Sequence, residues 1–218
     1  MAEAGLDATL LARLVAEAER RCEGREPAHD FGHVRRVAAT ARFLCEREGA
    51  DPAVVVTAAW LHELFNFPKG HPESHRSGDV CAEHATELLR REGCPAPLVE
   101  PIAACIRDHA FSKGALPPSL EGRVLQDADR LDSIGAIGVA RCFATTADMK
   151  RPFYDPADPF CRERAPDDKS FGLDHFYRKL LKIQDGLHTA SARTLGAERS
   201  AFLRQFLEQL ERELRGTG

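Results

Sequence analysis

Apolar residues along this chain recur at intervals of three and four, and alternating apolar–polar strand patterns are absent. Leu6, Leu10 and Leu14, flanked by Leu11, Val15 and Ala18, form one stripe of a helix over 6–22 that Asp7 opens as an N-cap. A second helix starts near Pro27, a good first-turn residue, and carries Val34, Val37, Ala38, Ala41, Leu44 and Cys45 on its apolar face before Gly49 closes it. Asp51-Pro52 then starts a third helix that is apolar nearly all round, from Ala53 to Leu61 with only Thr57 interrupting. A helix with no polar face is central and buried. Residues 66–78 read as turns, 79–92 as a helix, and Pro95 and Pro97 lead into another with Leu98, Ile102 and Ile106 at i+4 spacing. After a loop at 110–122, one long helix is expected from Arg123 to Met149, with Gly135 and Gly138 marking close approach to another backbone. Residues 150–170 hold four prolines, many charges and no period, as lids and binding loops do. The end is helical again, with Phe202, Leu203, Phe206, Leu207, Leu210 and Leu214 on one face. The prediction is an all-α, single-domain bundle of roughly seven to nine helices. It comprises an N-terminal helix at 6–22, a core at about 27–149, a lid at 150–170 and C-terminal helices over 171–215.

The totals agree with one globular domain: 218 residues, 43% hydrophobic and 29% charged. A net charge of −4 lacks the basic surplus of a nucleic-acid scaffold. Seven cysteines without a Cys-x-x-Cys pair, several inside apolar stretches, read as reduced core thiols of a cytoplasmic protein. The N-terminus has no basic start followed by an apolar block, and the longest apolar run is far short of the roughly 20 residues that cross a bilayer. No membrane partner is expected.

Three places put polar groups where a core residue should stand. His29 and His33 lie one turn apart in A-H-D-F-G-H-V-R-R-V, His33 directly before the apolar stripe. His62-Glu63 ends the all-apolar helix. Q-D-A-D-R-L-D at 126–132 sets three carboxylates on a helix with an apolar stripe of Val124, Leu125, Ala128, Leu131 and Ile134. Burying a carboxylate without a partner costs several kcal/mol. Imidazole and carboxylate drawn from different helices are a standard ligand set for a divalent ion. Periodicity alone does not choose among Asp127, Asp129 and Asp132.

An isolated His33, then His62-Glu63, then Asp129 in an Ala-Asp-Arg-Leu setting resembles the HD-domain metal-dependent phosphohydrolases, in their small stand-alone branch. The strings Q-D-A-D-R-L-D-S-I-G-A-I-G-V-A-R at 126–141 and D-H-F-Y-R-K-L-L-K at 174–182 are similar to that branch too. The resemblance implies that His33, His62 and Asp129 are metal ligands and catalytic residues, with Glu63 as the fourth, and that the ion is manganese, magnesium or iron. Glu63 stands where the family has Asp. One methylene longer, it either ligates after a small shift or reaches past the metal.

Around this core, His109 is expected to face the same pocket. Arg130, beside the ligand Asp129, either touches substrate phosphate or pairs with a structural carboxylate. Lys69, in the turn-rich loop, and Lys179, after the lid, are further phosphate candidates. His29 with Asp30 is the expected support for the ligating imidazole, Asp30 otherwise capping its helix. The implied activity is hydrolysis of a phosphoester or phosphoanhydride in a small phosphorylated substrate, foremost a nucleotide, with room for a homo-oligomer. Two other readings stand beside it: a di-iron oxygenase, and a non-catalytic metal- or nucleotide-binding module marked by Glu63.

Overall fold

The computed structural model describes residues 6–25, 30–67, 71–110 and 113–217, and among them there is no strand. The all-α expectation holds. The chain folds as two compact units, Met1–Asp129 with His188–Ser191, and Arg130–Leu187 with Ala192–Gly218.

In the first unit, α1 (Ala8–Arg21) is capped by Asp7, whose carboxylate accepts from the Leu10 N–H, and it buries Leu10, Leu14 and Ala18. α2 (Phe31–Glu48) starts after Asp30 and ends at Gly49, whose φ of +73° suits a residue without a Cβ. The expected start at Pro27 lies outside the described residues. α3 (Pro52–Leu61) has Asp51 as N-cap and Pro52 in its first turn, and it packs on α1, α2 and α5 (Ala96–Asp108). Because α3 packs against three helices its side chains are nearly all apolar, and Val54–Ala59, Thr57 among them, and Leu61 are buried. α4 (Ser77–Arg91) follows a short 3-10 turn over Ser74–Arg76 and packs along α5. α6 (Leu120–Leu131) brings the Gln-Asp-Ala-Asp string to the same unit.

The second unit corrects one expectation. The single helix foreseen from Arg123 to Met149 is two helices, α6 and α7 (Gly135–Asp148), broken at Asp132–Ile134. Gly135 has φ +74°, which a helix cannot accommodate, and Ile134 is extended at φ −126°, ψ 170°. The break is held by its polar groups. Arg141 donates to the Asp132 carboxylate at 2.7 Å and to its carbonyl at 3.1 Å, and Arg199 donates to the Leu131 carbonyl at 2.6 Å. The second glycine is a close approach, as expected: a Cβ at Gly138 would lie 2.3 Å from the Ser133 carbonyl oxygen. Helix propensity alone would favour Gly138→Ala by about 1 kcal/mol. A backbone atom cannot yield as a flexible side chain does, so the variant is expected to lose roughly 1–3 kcal/mol instead, read as a lower unfolding midpoint in urea.

Residues 150–170 carry no helix but are cross-linked internally. Asp158 accepts the N–H groups of Arg162 and Glu163, and Arg164 pairs with Asp174 in α8 (Asp174–Arg178). A 3-10 stretch, Leu180–Gly186, precedes α9 (Ala190–Leu214). Leu203 and Leu207 of α9 are buried, whereas Phe202 and Leu214, expected on the same apolar face, are exposed. No described helix is long and apolar enough to cross a membrane. All seven cysteines are free, and burial pushes the Cys45 and Cys81 thiols up to about 12.

Candidate metal centre

α2 and α3 deliver their histidines from a helix end, where backbone groups need partners. At the start of α2, the Asp30 carboxylate accepts the His33 N–H at 2.9 Å, which anchors the first turn from which His33 projects. Asp30 therefore caps its helix; His29 lies outside the described residues. At the end of α3, His62 is the C-cap, and its Nδ1–H donates to the Ala59 carbonyl at 2.6 Å. That bond satisfies an orphan helix carbonyl and leaves Nε2 with a lone pair to offer. The Cys81 thiol of α4 donates to the carbonyls of Leu61 and His62, at 3.5 and 3.2 Å, and steadies the same turn.

Among the described residues, His33, His62 and Asp129 form one cluster whose ligand atoms all lie within 4.8 Å of one another. The Nε2 atoms of His33 and His62 are 3.2 Å apart, and Asp129 Oδ1 is 3.4 Å from His33 Nε2. Two ligands each about 2.1 Å from one ion sit roughly 3–3.5 Å apart, so this spacing fits a shared divalent cation. Both imidazoles are 1% exposed, while the Asp129 side chain, at 22%, leaves the centre open on one side. Burial, with His109 and His33 adding, pushes His62 down to about 4, so it is neutral, the form that ligates. Two imidazoles and a carboxylate suit a divalent cation by donor chemistry.

His109 repeats the His62 arrangement at the end of α5. It is the C-cap, it is buried, and its Nδ1–H donates to the Ile106 carbonyl at 2.6 Å. Its ring meets His62 edge-on, with centroids 5.1 Å apart. Glu63 is not part of the cluster; its Oε2 pairs with Arg25 Nη1 at 3.0 Å. Arg130 and Lys179 belong to the second unit, where the Arg130 guanidinium donates to the Gly186 carbonyl. Lys69 lies outside the described residues.

Sequence reasoning missed the residues that hold the cluster in place. Gln126, fully buried, donates to the carbonyls of Asp108 and Ala115, at 2.9 and 3.0 Å, and accepts from His188 Nε2 at 2.5 Å. Asp127 accepts the N–H groups of His188 and Thr189 and the Thr189 hydroxyl, each at 2.8 Å. The signal was available: two polar residues in a row at buried helix positions must each find partners. Arg25, in the turn after α1, had no such signal.

A family model described as the HD domain matches residues 30–134, the span from the cap of α2 past Asp129. The Bacillus subtilis protein YpgQ is 34% identical over 192 residues, covering 86% of this chain and 85% of that one. The chain belongs to the HD-domain superfamily. Solved structures share the fold. YpgQ in complex with ADP superposes with a TM-score of 0.73 at 30% identity, covering 93% of this chain and 97% of that one. A Lactobacillus plantarum protein gives 0.77 at 30% identity, covering 97% and 99%. An HD-superfamily hydrolase from Bacillus thuringiensis gives 0.73 at 29% identity, covering 94% and 96%. Against that family, the clustered His33, His62 and Asp129 match the pattern, and the departure falls on Glu63, the residue turned to Arg25.

Proposed function

We propose that this HD-domain chain is a metal-dependent phosphohydrolase that cleaves a phosphoester or phosphoanhydride of a nucleotide. The observation that carries the reading is the cluster of two buried imidazoles and one part-exposed carboxylate, with ligand atoms within 4.8 Å. That YpgQ has been solved with ADP supports a nucleotide as the substrate class. His33, His62 and Asp129 would hold the ion, which when bound supplies Lewis-acid polarisation of a phosphoryl oxygen and lowers the pKa of an attacking water. The remaining work belongs to side chains. The carbonyl bond at Nδ1 keeps the His62 ring from turning, so that little reorganisation is needed when substrate arrives. The open side at Asp129 is where a phosphoryl group would enter. His109 is assigned to substrate beside His62, and Lys69 to the phosphate oxygens.

Elemental analysis of the purified protein, followed by phosphate and pyrophosphate release across nucleoside mono-, di- and triphosphates with added Mn²⁺, tests this. One ion per chain with turnover is expected. Two irons per chain without phosphate release would favour an oxygenase, and a chain that takes up no metal would be a binding module.

A further inference from the structure

Glu63 immediately follows a ligand, yet its carboxylate is spent elsewhere. Its Oε2 meets Arg25 Nη1 at 3.0 Å, with the Glu63 side chain 8% exposed and that of Arg25 21%. Both partners are anchored through their backbones. The Leu64 N–H donates to the Leu61 carbonyl in the turn that holds Glu63, and the Arg25 N–H donates to the Cys22 carbonyl just past α1. A pair this enclosed is weakly screened by solvent and holds its geometry. The extra methylene of glutamate lets the carboxylate extend away from the neighbouring His62. The Arg25 guanidinium is there to receive it.

From this geometry we infer that Arg25 competes with the metal ion for the Glu63 carboxylate and thereby lowers the affinity of the centre. The inference rests on the metal reading above. Groups that support a metal site fix its ligands in the ligating position, as the Ala59 carbonyl does by accepting the His62 Nδ1–H, and removing one costs about 10–100-fold in metal affinity. A competitor has the opposite sign. It holds an oxygen donor away from the ion and sets its own positive charge beside a dication. Three protein ligands then remain, which leaves positions open for water and a phosphoryl oxygen. A fourth protein ligand, the Glu63 carboxylate, would close one of them.

The experiment is a double-mutant cycle on Mn²⁺ binding to the whole protein, read by calorimetry and by the electron paramagnetic resonance of free Mn²⁺. Arg25→Gln is expected to tighten Mn²⁺ binding roughly tenfold, Glu63→Gln to change it little, and the double variant to match Glu63→Gln. The melting temperature gives a second readout. Without Arg25, an enclosed carboxylate lacks its partner until metal arrives, so the rise in Tm on adding Mn²⁺ should be larger in Arg25→Gln than in the parent. Arg25→Lys, which keeps the charge, should fall between the two in affinity. Weakened or unchanged Mn²⁺ binding in Arg25→Gln overturns the inference, since Arg25 would then be a support or a bystander. A gain that persists in the Glu63→Gln background also overturns it, because the effect would be charge repulsion without competition. A parent protein that binds no Mn²⁺ sinks the inference and the metal centre together. Mn²⁺ binding that follows the cycle without any phosphate release sinks the proposed activity alone.

Discussion

His33→Ala and Asp129→Ala should each weaken Mn²⁺ binding by at least about a hundredfold while leaving the protein helical. The two residues come from different helices, α2 and α6, and converge on the same space, with Asp129 Oδ1 3.4 Å from His33 Nε2. With three protein donors in the cluster, removing one leaves two, too few to hold a hydrated dication against water. The folds of the variants should survive for different reasons. Asp129 is part-exposed, so its loss empties no core volume. His33 is buried, but it is one residue of an eighteen-residue helix whose cap, Asp30, remains in place. Metal stoichiometry by elemental analysis and far-ultraviolet circular dichroism check the two halves of the claim. His75→Ala, which removes an exposed histidine outside the cluster, serves as the control and should bind Mn²⁺ as the parent does. Full occupancy in both ligand variants would remove the centre as drawn.

In the second unit the largest loss should come from Asp174→Ala, at about 3–5 kcal/mol, the usual cost of removing one partner of a buried ion pair. Asp174 is fully buried and is bonded on both oxygens. Oδ1 accepts from Arg164 Nη2 at 2.8 Å, and Oδ2 accepts from the Asp167 N–H at 2.6 Å as well as from Arg164 Nη1. Its loss strands a guanidinium that also carries the fold of residues 155–167, since Arg164 bonds the Asp158 carbonyl and pairs with Asp155. At about 2–4 °C per kcal/mol for a chain of this size, the melting temperature should fall by roughly 10 °C. Burial pushes the Asp174 carboxyl up, but the bonds from Arg164 and the Asp167 N–H outweigh it and hold the group below the ordinary carboxylate range. A carboxyl held low in the folded protein adds stability above its unfolded pKa of about 4, and loses it as the pH falls through the folded value. The gap in melting temperature between Asp174→Ala and the parent should therefore be full at pH 7 and shrink below about pH 4. A gap that stays constant down to pH 3 would mean that Asp174 acts through packing alone.

The Lys150–Ser170 segment shows what a sequence pattern leaves open about a polar loop. Prolines and charges without a period predicted a lid. In the structure several of its charges are bonded locally, Asp158 to two backbone N–H groups, Arg164 to Asp174 and the Arg151 guanidinium to the Asp168 carbonyl. Polar residues that satisfy one another have the same composition as polar residues that face water, and only coordinates separate them.

The long helix foreseen from Arg123 to Met149 failed for a related reason. Apolar spacing runs through the break unchanged, since Leu131, Ile134 and Cys142 are all buried. What stops the helix is a salt bridge from Arg141 to Asp132 and a glycine at positive φ. These lie three to nine residues apart and leave the hydrophobic period untouched.

The amino-acid sequence by itself determined the helices and their buried faces, because each depends on neighbours within a turn or two: the Asp7, Asp30 and Asp51 caps, the Gly49 stop, the all-apolar α3. It also narrowed the chemistry to His33, His62 and a carboxylate of the Asp127–Asp132 string, since each stands at a position that burial would otherwise forbid. Choosing among those carboxylates took the resemblance to a family, and the tertiary structure supplies the physical reason. Asp127 is occupied by the backbone of His188 and Thr189, Asp132 by Arg141, and Asp129 is the one that meets the two imidazoles. The same holds for Glu63, which the resemblance places at a ligand position and which meets Arg25, 38 positions away in the chain. Partners this far apart in the chain meet only after the helices have packed. No local pattern encodes where a long charged side chain will find its counter-ion.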